Sequence, residues 1–184
     1  MAFGYQVLGF GSGVAADGPA PEVAWLGDRG VFCGSYNGSS AINVIEYIKI
    51  SSAGNSTDFG DMTAGRYSGG AVSNGTRLVY AGGFDLSVVC YNQIQYLTIG
   101  TTGNMADFGD LTSCRTYLSA AASNATIGMW MGGHDGVSSA FNTVDKVNIA
   151  STGNAADFGD LSAAKFNAGG TGNGTRAIFA GGDT

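Results

Sequence analysis

The sequence predicts an all-β protein, a β-propeller made of four-stranded antiparallel blades. Three observations predict it. The string Asp58-Phe59-Gly60-Asp61 returns as Asp107-Phe108-Gly109-Asp110 and as Asp157-Phe158-Gly159-Asp160, at offsets of 49 and 50 residues, and a period of that length marks one supersecondary unit used repeatedly. Within each unit the apolar residues form short β-type runs or alternate with polar ones, and nothing follows a helical period. Glycine reaches 32 residues against 2 prolines. Each glycine inside a strand costs about 0.5–1 kcal/mol relative to alanine, so most must sit in tight turns or close backbone contacts.

The copy from Thr76 to Ala125 shows the elements in order. Arg77–Ala81 is short, apolar and β-rich, and Gly82-Gly83 ends it, as Gly132-Gly133 and Gly181-Gly182 do elsewhere. Asn92–Ile99 alternates polar and apolar residues, the period of a half-buried strand. Gly100–Asn104 is a turn cluster, and Asp107–Thr112 forms a third segment anchored by Phe108 and Leu111. Arg115 leads into Leu118–Ser123, whose small side chains require close packing. Asn74-Gly75 and Asn173-Gly174 read as type I′ hairpin turns, in which both central residues need φ > 0. The unit is a four-stranded meander of blade size.

The repeats divide the chain as one domain: a partial closing blade at 1–28, full repeats at 29–76, 77–125 and 126–175, and a last inner strand at 176–184. Gly30–Cys33, Leu78–Ala81, Gly128–Met131 and Ala177–Ala180 are the expected inner strands. A ring of four blades, closed by the N-terminal strands, leaves no sheet edge exposed. The rival is a homo-oligomer in which two chains share one larger ring of seven or eight blades.

Composition narrows the function. Charged residues are 12% and the net charge is −6. Without a Lys/Arg cluster there is no footprint for nucleic acid and no polybasic attraction to a membrane. No apolar run reaches the roughly 20 residues of a membrane span, and the first residues lack the positive start of a secretory leader. Cys33, Cys90 and Cys114 align with mostly small residues in the other copies and have no CxxC spacing, so they read as small buried hydrophobes.

A Gly-Gly pair ending an apolar strand, an Asn-initiated second strand, an aromatic in the third and an Arg opening the fourth together resemble the kelch repeat. Phe59, Phe108 and Phe158 stand where kelch usually has Trp, and Lys165 replaces Arg66 and Arg115. The run Ser151–Leu161 and its variant Thr101–Leu111 are similar to kelch-like repeats in structural proteins of marine tailed bacteriophages, as is the opening Phe3–Gly13. The resemblance implies a virion protein, of the tail-fibre or adhesin type or decorating the capsid, with other virion proteins and a host surface glycan as partners. The alternative is a cellular kelch-type protein-interaction module.

Catalytic residues are scarce. His134 is the one histidine; galactose-oxidase-like kelch enzymes need two at copper, and no Gly-x-Ser-x-Gly elbow precedes a helix. No enzyme activity and no cofactor are expected. Asp58, Asp61, Asp107, Asp110, Asp157 and Asp160, with Asn55, Asn104 and Asn154, place oxygens at regular intervals. Calcium takes 6–8 such ligands, but Asp and Asn beside Gly are ordinary turn chemistry, and turn-capping is the expectation.

Function is better sought where the copies differ. Ser35–Ile42, Phe84–Tyr91 and His134–Phe141 occupy one loop position and diverge, and recognition usually sits on loops over a rigid scaffold. Tyr36, Asn37, Phe84, Asp85, His134 and Asp135 are the candidate ligand-binding residues, a set suited to stacking on and hydrogen-bonding a sugar.

Overall fold

The computed structural model describes residues 27–87, 90–118 and 121–184. The expected closing strands of residues 1–26 lie outside them. The described chain forms thirteen strands and no helix: β1 Arg29–Tyr36, β2 Ala41–Lys49, β3 Thr57–Asp61, β4 Gly70–Ser73, β5 Arg77–Ala81, β6 Gln93–Thr98, β7 Ala106–Asp110, β8 Ala121–Ser123, β9 Ile127–Met131, β10 Thr143–Asn148, β11 Ala156–Asp160, β12 Gly169–Gly172 and β13 Ala177–Ala180. They assemble into four antiparallel sheets: β1-β2-β3, β4-β5-β6-β7, β8-β9-β10-β11 and β12-β13.

The sheets are phased differently from the sequence repeats. The small-residue strands β4, β8 and β12 pair with the strand that follows them, not with the one before. They also touch one another from sheet to sheet, so they form the inner edge of the array. Leu78–Ala81, Gly128–Met131 and Ala177–Ala180 are therefore second strands, while Gly30–Cys33 lies in β1, the edge of its sheet among the described residues. The reason is side-chain volume. A Cβ on Gly70 would lie 2.3 Å from the Leu118 carbonyl oxygen, and Trp130 Nε1 donates to Gly70 O at 2.9 Å across the same junction. Gly, Ala and Ser make up most of these strands, with Val72 and Thr171 the exceptions, and small residues allow so close an approach.

The turns that join inner to second strands are capped by asparagine. Asn74 Oδ1 accepts from the backbone N–H of Thr76 at 3.1 Å and of Arg77 at 2.8 Å, and Asn124 and Asn173 repeat the pattern. They are not type I′ turns. Gly75 and Gly174 take positive φ, but the asparagines do not.

The Asp-Phe-Gly-Asp strands β3, β7 and β11 form the outer edge, each with a bulge against its neighbour. β3 and β7 also bind the next sheet. Gly103 N–H donates to Phe59 O at 2.7 Å and Met105 N–H to Asp61 O at 2.8 Å, while Asp61 N–H donates to Asn104 Oδ1 at 3.0 Å. One repeat later, Gly153, Ala155 and Asn154 bind Phe108 and Asp110 in the same way. Gly60 is required twice over: its φ is +147°, and a Cβ would lie 2.4 Å from Gly103 O. Phe59 and Phe108 are each only 2% exposed beneath this contact.

A buried arginine closes each of the first two junctions. Arg115 is fully buried, pairs with buried Asp145, and donates to Gly132 O and Thr143 O at 2.9 Å each. Asp145 in turn accepts from Thr112 N–H at 3.0 Å and Thr112 Oγ1 at 2.8 Å. Arg66 is equally buried but meets amides: Gln93 Oε1 accepts at 2.5 Å, and Gln95 stands where the next sheet has Asp145. Its guanidinium lies 4.2 Å from the centre of the Tyr91 ring. Burial lowers the pKa of both arginines.

Asp145→Ala leaves Arg115 buried without its counter-charge, and such a loss costs about 3–5 kcal/mol; urea denaturation measures it directly. The Tyr80 phenol is pushed up to about 12 by burial, so the fold favours the neutral ring. Its contribution is fully present below the ordinary tyrosine value near 10 and is lost as pH rises through 12. Subtracting the Tyr80→Phe pH–stability profile from wild type reveals a difference that falls only in that alkaline window.

Candidate recognition face

The loops between second and third strands, together with the connectors that leave the outer strands, meet on one face of the array. Each connector bridges the next sheet there: Tyr67 pairs with Phe84, Thr116 with His134, and Phe166 with Asp183. The divergent loops share a hidden regularity. Asn37 Oδ1 accepts from Ser39 and Ser40 N–H at 2.9 and 2.8 Å, and Asp85 Oδ1 from Ser87 N–H at 2.8 Å. Asp135 Oδ1 accepts from Val137, Ser138 and Ser139 at 2.8, 2.8 and 3.0 Å. These amide bonds hold the Asp135 carboxyl down at about 2. Its bonds therefore persist through neutral pH and are lost as pH falls towards 2. Three of the six candidate ligand residues thus shape their own loops, as side chains that mimic a backbone turn do.

The other three enter an aromatic ribbon. Ring centres run from Tyr36 to Tyr67 at 5.2 Å, on to Phe84 at 4.2 Å and to Tyr117 at 5.4 Å. Tyr117 lies 6.2 Å from His134 and 5.7 Å from Phe166, which are 4.8 Å apart. Tyr36 is 48% exposed and the others are half-buried. His134 Nδ1 accepts from Gly136 N–H at 2.9 Å, which assigns the neutral ring's proton to Nε2.

Tyr67, Tyr117 and Phe166 escaped the sequence reading because they follow Arg66, Thr116 and Lys165, in stretches read as strand openings. The pairs Arg66-Tyr67 and Lys165-Phe166 were the available signal. Tyr117 has φ +55°, and Ser68 and Asn167 hold the same left-handed place in their connectors at +58° and +55°. The fold demands that conformation of every copy. A bulky ring there is unusual, yet it puts Tyr117 at the centre of the ribbon.

Cys90 and Cys114 form a disulfide across this face, with Cα atoms 5.5 Å apart, correcting their reading as isolated small hydrophobes. The corresponding residues of the first copy, Ala41 and Gly65, already touch: a Cβ on Gly65 would lie 2.4 Å from Ala41 O. Two cysteines within one copy, at positions held by small residues in the others, carried that information.

The acidic repeat serves structure. Asp107 Oδ1 accepts from Gln93 Nε2 at 3.3 Å, and Asp157 Oδ1 from Gly159 N–H at 2.8 Å. Among the described residues no three His, Cys, Asp or Glu side chains gather into one group, and Asp58 and Asp61, Asp107 and Asp110, and Asp157 and Asp160 lie on three separate strands.

No protein-family model and no curated protein matches the sequence. Among solved structures, the chain is similar to YjhT, a kelch-type propeller, with a TM-score of 0.71 at 8% identity. The match covers 85% of this chain and 56% of YjhT, so the chain spans about half of that protein's length. The likeness is one of fold: antiparallel sheets arranged as in a propeller.

Burial pushes the Cys33 thiol up to about 12, and the thiolate is the reactive form. The native protein at pH 8 therefore yields almost no fast thiol labelling, and two further thiols appear on reduction. The Cys90→Ser/Cys114→Ser pair, which opens a link spanning 24 residues, lowers stability by about 3 kcal/mol, read from denaturation midpoints.

Proposed function

We propose that this chain is a non-enzymatic structural protein of a tailed-phage virion that presents the aromatic face to a host surface glycan. Two things support the reading. The repeat strings resemble those of phage structural proteins, and the geometry contributes the observation that carries the recognition role: a ribbon of six rings crossing the tops of successive sheets. Sugar rings stack their C–H faces on aromatic side chains, and rings held by a rigid scaffold lose little entropy on binding. The carboxylates nearest the ribbon are engaged by their own loops, which suits binding rather than proton transfer. A four-bladed ring within one chain, closed by residues 1–28, and a larger ring shared by two chains would present the same face.

The test has two parts. Mass spectrometry of purified virions should find the protein at stoichiometric copy number; its absence ends the virion reading. On a glycan array the wild type should bind host polysaccharide, and Tyr117→Ala should weaken binding at least tenfold while Asp107→Asn leaves it unchanged. Binding indifferent to Tyr117 would remove the aromatic face from the account.

A further inference from the structure

The first and third sheets carry the two unmatched halves of one junction. On the third sheet, Phe158 is 58% exposed, where its equivalents Phe59 and Phe108 are 2%. Nothing lies within 4 Å of a Cβ on Gly159, although Gly60 and Gly109 each meet a carbonyl oxygen at 2.4 Å. Met129, Met131, Val144 and Phe158 line an apolar groove there. On the first sheet, Gly54-Asn55 repeats Gly103-Asn104 and Gly153-Asn154, yet Gly54 makes no backbone bond to an outer strand among the described residues, and Ile50 is 67% exposed where its equivalents Ile99 and Ile149 are 8% and 0%.

We propose that two copies of this chain close one propeller ring, the first sheet of each docking on the third sheet of the other. The charges are complementary. The cation series Arg66, Arg115 and Lys165 faces, in the following sheet, Gln95, then Asp145, and then no acid among the described residues. The first-sheet residue in register with Gln95 and Asp145 is Glu46, exposed and in contact with Ser56 Oγ at 3.1 Å. Docking pairs Lys165 with Glu46 of the second copy. A four-bladed ring closed by residues 1–28 offers Glu46 no such partner, because that stretch contains neither Lys nor Arg.

Phe32 marks which strand changes place. It is 57% exposed, while the residues in its register, Tyr80 and Trp130, are 4% and 0% exposed. At the far end that register belongs to Phe179 of β13, which packs against the cluster of Met131, Val144 and Ala168. In the ring, β1 of the second copy replaces β13 beside β12, and Phe32 replaces Phe179. The composite blade runs β12-β1-β2-β3, with β12 supplying the inner strand that the first sheet lacks among the described residues. Three blades from each copy make a six-bladed ring. Its two junctions are related by a two-fold axis, so no end stays free to extend a filament.

Sedimentation of the full chain tests this independently of its role in a virion. The expected species has twice the 18.6 kDa chain mass. Glu46→Lys and Lys165→Glu should each raise the dissociation constant by about thirtyfold or more, as loss of a buried interfacial charge pair does, and the combined variant should restore it. Unchanged circular dichroism of the single variants separates lost assembly from lost folding. A wild type that stays monomeric at every concentration overturns the proposal, as does a polymer of growing length. A dimer indifferent to both charge reversals overturns it equally.

Discussion

The first two sheet junctions rest on one contact, the laying of a Gly-Asn turn across the backbone of a Phe-Gly-Asp strand. Two N–H groups of the turn meet two carbonyls of the strand, and the Asn side chain returns a third bond. The close approach leaves no room for a Cβ on Gly60 or Gly109, while Gly103 and Gly153 on the turn side are fixed by positive φ, +155° and +156°. A repeated acidic string invites a metal or catalytic story. Here its central Phe-Gly pair carries the repetition, because each junction buries the ring and needs the bare backbone.

The cations behind that contact show two solutions to one electrostatic problem. A buried guanidinium must be paired or fully hydrogen-bonded, since desolvation of a lone charge costs several kcal/mol. The terminal nitrogens of Arg115 meet a carboxylate and two carbonyls, and Arg66 meets amide oxygens and the face of Tyr91, while the buried Nε of each has no hydrogen-bond partner among the described residues. The scaffold tolerates either partner, so the identity of the facing residue is free to encode which sheet follows which. Lys165 and Glu46 fit that logic as a third combination.

Rigidity also explains the face. The loops there are not loose: Asx-type bonds shape each of them, a disulfide ties the second to its connector, and bridges such as Tyr67–Phe84 stitch neighbouring sheets. Sequence divergence in these loops changes what they display, not how they are held. The aromatic ribbon is thus built from two chain segments per sheet, one from the divergent loop and one from the connector.

The sequence by itself determined the all-β class, the repeat, the strands and the position of the divergent loops. These follow from local rules: period-two alternation, Gly and Asn at turns, a fixed 49-to-50-residue spacing. It placed Tyr36, Phe84 and His134 on one face because antiparallel connections alternate between faces. Only the tertiary structure decided which strand is innermost, since volume at the inner edge depends on sheets distant in sequence. It alone brought Tyr67, Tyr117 and Phe166 to the ribbon, joined Cys90 to Cys114, and gave Asn37, Asp85 and Asp135 to their own loops. Local pattern specifies an element and its two faces; which neighbour covers a face is settled by contacts between repeats, and a single repeat carries no record of them.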